Sequence, residues 1–137
     1  MRLLIAAVAA CSVLAAAPAE ARHWGHHHAR HWGHYQTEGA TVAHPSGCPR
    51  SAFCGCGVSV KVFGHPVRNL FLASNWFKFP RAHAAAGMVA VRRHHVIYIE
   101  QVDGNGNATV YDPNSGGHQT RVHERSLAGY SIHDPRG

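Results

Sequence analysis

The stretch "GMVAVRRHHVIYIEQVDGNGNATVYD", residues 87–112, decides the fold class. It is rich in β-branched and aromatic residues, which favour strands, and a charged pair of arginines divides it. We predict strands near 87–92 and 95–102. "DGNGN" (103–107) is typical of a tight hairpin turn, and "ATVYD" (108–112) continues as a third strand. The stretch therefore predicts an antiparallel meander.

The chain on either side of this meander completes the domain. "HQTRVHE" (118–124) alternates as a fourth strand after the turn "PNSGG", and "AGYSIHD" (128–134) predicts a fifth. On the N-terminal side, "NLFLASNWF" (69–77) predicts a short helix. A helical front followed by an antiparallel sheet of about five strands is an α+β domain.

The 137 residues divide into three parts. Residues 1–21, "MRLLIAAVAACSVLAAAPAEA", have an early arginine, an apolar run and an Ala-x-Ala end, which predict a secretory signal peptide. We predict that residues 22–46 form a His-rich flexible arm and that residues 47–137 form one domain. We expect export to the periplasm or the exterior as a soluble protein. A lipoprotein is the less favoured alternative, because Cys11 of "VAAC" sits early and the apolar run continues beyond it.

The formal charge of +6 and a pI of about 9.6 favour polyanionic partners. Outside the cytoplasm these are peptidoglycan or other anionic envelope polymers, and anionic lipid head groups allow peripheral membrane contact. There is no run of Lys and Arg interleaved with aromatic residues, so nucleic acid is not a predicted partner. We expect a monomer.

The arm contains "HWGH" twice and is dense in imidazoles, which bind Zn, Cu or Ni ions when neutral. A spacer that binds no ligand is the alternative. In the domain, the C-x5-C-x-C spacing and the adjacent histidines do not match the pattern of a structural zinc site. The candidate metal ligands are therefore His23, His26, His27, His28, His31 and His34.

Three cysteines lie within "CPRSAFCGC" (48–56), and an odd number leaves at least one free or paired with another chain. A catalytic thiol must be partly ionised, and a helix N-terminus and a nearby imidazole both favour the thiolate. A cysteine on an early helix and a histidine that opens a central strand have this layout. The structural alternative is that Cys54 is a small buried hydrophobe and His95 a hydrogen-bonded core histidine.

Four segments in order resemble a known family: "PRSAFCGCGVSVKVFG", "NLFLASNWFKF", "GMVAVRRHHVIYIEQVDGNG" and "VYDPNSGGHQTRVHERSLAGYSI". Together they resemble a small exported bacterial branch of the CHAP (cysteine- and histidine-dependent amidohydrolase/peptidase) group, related to NlpC-type cell-wall peptidases. The resemblance covers residues 49–132. It implies a papain-like fold, with N-terminal helices packed on the sheet.

The resemblance also implies an activity, namely hydrolysis of amide bonds in peptidoglycan with no metal or organic cofactor required. Position by position, Cys54 matches the nucleophile, His95 the base and Asn114 the residue that orients the base, with Asp112 in reserve. Two alternatives stay open: a catalytically silent CHAP-like protein that binds the envelope, and an envelope protein that binds metal through its His-rich arm.

Two features around Cys54 depart from the family pattern. "GCGVSVKVFG" (55–64) alternates like a strand, whereas the resemblance requires a helix, which would pack Cys54, Val58 and Val62 on the sheet. Cys56 stands where a bulky residue is more usual. A Cys48–Cys56 disulfide would leave Cys54 free, and a bond from Cys54 to either neighbour would block the nucleophile.

Overall fold

A computed structural model describes residues 39–137. Six strands and one α-helix follow in chain order: β1 (Ala40–Val42), α1 (Cys54–Phe63), β2 (Val89–Arg92), β3 (His95–Val102), β4 (Asn107–Ser115), β5 (Gln119–Ser126) and β6 (Ser131–His133). Two short 3-10 helices, Arg68–Leu70 and Ala73–Lys78, lie between α1 and β2. The part of the chain described contains no helix that is both long and apolar enough to cross a bilayer.

All neighbouring strands pair antiparallel in one sheet, in the order β1-β5-β4-β3-β2-β6. The predicted papain-like fold, with N-terminal helices packed on a sheet of about five strands, is therefore wrong, because residues 39–137 form mostly a six-stranded sheet with a single α-helix. The sixth strand is β1, which pairs with β5 at one edge of the sheet. Its residues belong to the stretch 22–46 that was predicted as a flexible arm. The predicted signal peptide and the six arm histidines lie outside the described residues.

The short helix predicted over 69–77 is replaced by the two 3-10 helices. Leu72, between them, has an extended backbone that interrupts any continuous helix. The indole N–H of Trp76 donates to the carbonyl of Leu70 at 2.8 Å, and the side-chain amide of Asn75 donates to the carbonyl of Asn69. Side-chain bonds to backbone carbonyls compete with the helical ladder, and here they stabilise two tight turns.

Helix α1 forms despite its two glycines and three valines because packing overrides local propensity. Its residues Cys54, Val58 and Val62 join a core cluster with Trp76 and Val96. A second cluster covers the other face of the sheet and includes Met88, Ala90, Ile97, Ile99, Ala108 and Val110. Strands β2 and β3 are therefore buried on both faces and hold the first turn of α1 firmly against the start of β3.

The glycines of α1 are required by close backbone contacts. A Cβ atom on Gly55 would lie 2.1 Å from the carbonyl oxygen of Leu70 and 2.4 Å from that of Phe71. A Cβ atom on Gly57 would lie 2.4 Å from the Pro113 side chain. Only glycine lets the first turn of the helix approach these two segments of chain, so the sequence that looks unsuited to a helix is suited to this one.

Gly55→Ala is expected to lower the free energy of unfolding by about 1–3 kcal/mol, since overpacking forces the backbone at residues 70–71 to move. Gly116→Ala is the matched control, because nothing lies within 4 Å of a Cβ atom there and its φ is ordinary. Urea unfolding of both variants measures the difference. Equal stabilities would contradict the close packing at Gly55.

Candidate active site

Cys54 is the first residue of α1 and the one free cysteine among the described residues, because Cys48 and Cys56 form a disulfide. The first hydrogen bond within the helix runs from the N–H of Gly57 to the carbonyl of Phe53 at 2.8 Å. The N–H groups of residues 54–56 therefore have no partner within the helix, and Phe53 contributes no side-chain cap. The thiol lies at the positive end of an uncapped helix.

The thiol of Cys54 is only 6% exposed and lies against the first residues of β3. As a donor it faces the carbonyl oxygen of His94, 4.0 Å from Sγ. Burial raises the pKa of this thiol, but the hydrogen bond and the positive charge of His95 lower it more, together with the N–H groups of Val96 and Gly55. The resulting pKa lies below the ordinary value for cysteine, so the site favours a thiolate.

His95 connects the thiol to a buried carboxylate. Its Nε2 donates to Oδ1 of Asp112 at 2.7 Å, which leaves Nδ1 to exchange a proton with Cys54. Burial lowers the pKa of His95, but its hydrogen bond to Asp112 and its interaction with Cys54 raise the pKa to about 9. The structure therefore brings Cys54, His95 and Asp112 together as a thiol–imidazole–carboxylate chain.

Asp112 is fully buried and accepts hydrogen bonds from three side chains. Besides His95, these are His123, whose Nε2 lies 3.0 Å from Oδ2, and Arg125. Burial raises the pKa of Asp112, but the bonds from His95 and His123 and the charge of Arg125 lower the pKa to about 2. Arg125 in turn lies 5.7 Å from the ring centre of Tyr130. This carboxylate stays ionised and cannot take the proton from His95 at neutral pH.

Sequence reasoning missed His123 and Arg125, although the pattern contains a signal for them. In β5 they are two residues apart and lie opposite Val110 and Ala108, which are buried. Two basic side chains on the inward face of a half-buried strand need an acidic partner. Asp112 lies two residues from Val110 on the same face of the neighbouring strand, so it is the expected partner.

Asn114, predicted to orient His95, makes no hydrogen bond with it. Its Oδ1 accepts a hydrogen bond from Nδ1 of His118 at 3.1 Å, and its backbone is left-handed with φ 60°. The position beside Nε2 of His95 belongs to Asp112, which the sequence had placed in reserve. Asn114 does line the cleft above Cys54.

Alternation along β3 predicts that one of the adjacent histidines faces Cys54, with Ile97 and Ile99 on the face of His95. His95 does contact the thiol, but Cys54 packs with Val96, and the two isoleucines lie in the cluster on the opposite face. The contact exists because His95 is the first residue of β3, where the thiol lies beside the end of the strand. Strand alternation alone therefore does not account for the contact between His95 and Cys54.

A cleft of about 440 Å³ opens above Cys54. Its lining includes both polar and apolar side chains, among them Leu72, which is 67% exposed. The lining residues are Ala52, Cys54, Phe71, Leu72, Ala73, Ser74, Arg93, His94 and Asn114. The free thiol therefore reaches a cavity that can hold part of a substrate.

Residues 39–137 contain no group of three or more His, Cys, Asp or Glu side chains arranged to hold a metal ion. Cys48 and Cys56 are bonded to each other, so neither offers a thiolate ligand. The arm histidines are outside the described residues, and metal binding by the arm stays a prediction.

Comparison of this chain with protein-family models, with curated proteins and with solved structures finds no match. The likeness to the CHAP group therefore rests on the sequence segments alone, and the site geometry is an independent observation.

Proposed function

We propose that this protein is an exported cysteine amidohydrolase or peptidase that cleaves amide bonds of peptidoglycan through Cys54, His95 and Asp112. One observation carries the proposal: a free thiol at a helix N-terminus joins a histidine and a buried carboxylate at the base of an open cleft. Thiol, imidazole and carboxylate in this order are the parts needed for covalent catalysis of acyl transfer.

The chemistry follows from the proton positions. The Cys54 thiolate attacks the carbonyl carbon of the amide, and the C–N bond breaks as imidazolium His95 donates its Nδ1 proton to the leaving amine. His95, now neutral, takes a proton from water, whose oxygen attacks the thioester. The C–S bond then breaks, which releases the carboxylic acid and the Cys54 thiolate and restores the thiolate–imidazolium pair. Asp112 holds the Nε2 proton throughout and stabilises the imidazolium.

The oxyanion that forms in each step needs donors, and the N–H groups of the first turn of α1, which have no partner within the helix, belong to the same turn as Cys54. Removing one such donor typically costs about 3 kcal/mol of barrier. The close packing at Gly55 keeps this turn of the helix in position. The same glycines that weaken the helix by propensity thus serve the site.

The substrate class is supported by charge and by the sequence. The chain has a formal net charge of +6. The described residues that line the cleft include Arg93 and His94 and no acidic residue. Peptidoglycan stem peptides are anionic and lie where an exported basic protein meets them. The sequence likeness to the CHAP group favours the same substrate.

Thiol reactivity tests the proposal directly. Iodoacetamide at about pH 6, without reductant, is expected to label the mature protein at Cys54, and His95→Ala is expected to slow labelling about 100-fold, because an unpaired thiol is well under 1% ionised at that pH. Peptide mass spectrometry locates the label and the disulfide.

His94→Ala is the matched control, since His94 lines the cleft beside Cys54 but does not contact Asp112. Labelling should stay close to the wild-type rate in this variant. A Cys54 found in a disulfide, or labelling that is equally slow in both histidine variants, would refute the thiolate–imidazole pair.

A further inference from the structure

A second cavity, of about 340 Å³, lies next to the catalytic cleft and is lined by His44, Arg50 and His118. Two connections place it beside the cleft. Arg50 is two residues from Ala52, which lines the cleft, and His118 is hydrogen-bonded to Asn114, which lines it too. We call the second cavity the basic pocket. A substrate bound over Cys54 can extend into it past Ala52 and Asn114.

The wall of the basic pocket that His44 forms is held in place. Nε2 of His44 donates to the carbonyl of Cys48 at 3.1 Å, and its ring packs edge-on against buried Phe53, with centroids 4.4 Å apart. Cys48 is tied to α1 by the disulfide to Cys56. A side chain that is held before binding loses less entropy when a ligand arrives.

The charge of the basic pocket is not neutralised by its neighbours. Arg50 is permanently charged, and no ion pair joins it to any residue of the described part of the chain. The acidic residues of the described chain all have other partners. They are Asp112 with His95, Glu100 with Lys61, Asp134 with Arg136, Asp103 in a hairpin turn and Glu124 beside Asn107. Three basic side chains around one cavity, with no acidic residue in its lining, are suited to an anion.

We propose that the basic pocket binds a carboxylate of the substrate, so that the enzyme prefers amides with a free carboxylate a few bonds from the scissile carbonyl. This inference rests on the proposed function, since it names the class of substrate that the same cleft accepts. A guanidinium matches the planar geometry of a carboxylate, and the free imidazole nitrogens add further donors when protonated.

The test uses reagents that react with Cys54 without hydrolysis. Bromoacetyl peptides of one, two and three alanines are made with a C-terminal carboxylate and with a C-terminal carboxamide. In each case Sγ of the thiolate forms a bond to the acetyl carbon and bromide leaves. The ratio of the alkylation rate with the carboxylate reagent to that with the carboxamide reagent reports the contribution of the negative charge. The peptide length at which this ratio is largest reports how far the carboxylate site lies from Sγ.

We expect the wild type to favour the carboxylate reagent at one of these lengths, and Arg50→Gln to lower the rate ratio about three- to tenfold, as for a charge-assisted bond partly screened by water. Arg50→Lys should keep part of the preference. Arg81→Gln removes the same charge from an exposed residue outside both cavities and should leave the ratio unchanged.

Each result decides something. A ratio that is equal in Arg50→Gln and Arg81→Gln would overturn the basic pocket while leaving the thiol chemistry intact. A ratio that falls only in Arg93→Gln would move the carboxylate into the catalytic cleft and would also overturn the assignment. A Cys54 that neither reagent alkylates would overturn the proposed function and the pocket with it.

Discussion

Asp112→Asn is expected to lower kcat/KM for hydrolysis of peptidoglycan fragments by about 10³–10⁴-fold, as for a carboxylate that fixes the tautomer of a catalytic histidine. An amide can present its NH₂ group to His95, which then turns its proton towards Cys54 and can no longer accept one. The amide also cannot stabilise the imidazolium. The loss should appear mainly in kcat, because Asp112 is fully buried and touches no substrate.

Asn114→Ala is the informative comparison for this variant. Asn114 lines the cleft and bonds to His118 rather than to His95, so its loss should raise KM more than it lowers kcat. Near-UV circular dichroism of both variants checks that the fold survives. A large loss of kcat in Asn114→Ala, together with a near-normal kcat in Asp112→Asn, would make Asn114 the orienting residue. It would contradict the role assigned to the bond between His95 and Asp112.

Cys54→Ser is expected to lower hydrolysis by about 10⁴-fold or more. The serine hydroxyl stays un-ionised where a thiolate forms, and His95 is not strong enough as a base to replace that difference. Stability should change little, because the thiol makes no disulfide and serine has nearly the same size. Release of new amino groups from purified peptidoglycan measures the loss.

Sedimentation of Cys54→Ser with insoluble peptidoglycan separates the enzyme from a silent envelope binder. Retained binding with lost hydrolysis supports the proposed function. Hydrolysis by wild type and variant at the same rate would exclude the thiol as nucleophile. A wild type that binds without hydrolysing would identify a protein that only attaches to the wall.

Strands β2 and β3 could be predicted from their β-branched and aromatic residues, and β4 and β5 from the turn residues around them and the alternation in β5. Strand β1 could not, since Ala40–Val42 has three residues and follows a polar stretch. Helix α1 is opposed by its own propensities and depends on glycine contacts with residues distant in sequence. No local pattern contains that information.

For the site, the order of cysteine and histidine segments pointed to Cys54 and His95. The sequence could not decide between Asp112 and Asn114 as the partner of His95. The two residues are two positions apart on one strand, and simple alternation puts them on the same face. The pairing of β4 with β5 shifts register after Asp112, and Asn114 adopts a left-handed backbone. This irregularity separates the two side chains, and it is set by the partner strand.

The disulfide two residues beyond the free thiol has a consequence for maturation. Any environment that folds this protein must oxidise Cys48 and Cys56 and yet spare Cys54, the cysteine between them in sequence. Thiol exchange among three sulfurs so close together can also yield isomers in which Cys54 is consumed. The reductants routinely added to keep thiol enzymes active would at the same time open the loop that carries the nucleophile. Handling of this protein therefore calls for a thiol–disulfide buffer of intermediate potential rather than for full reduction.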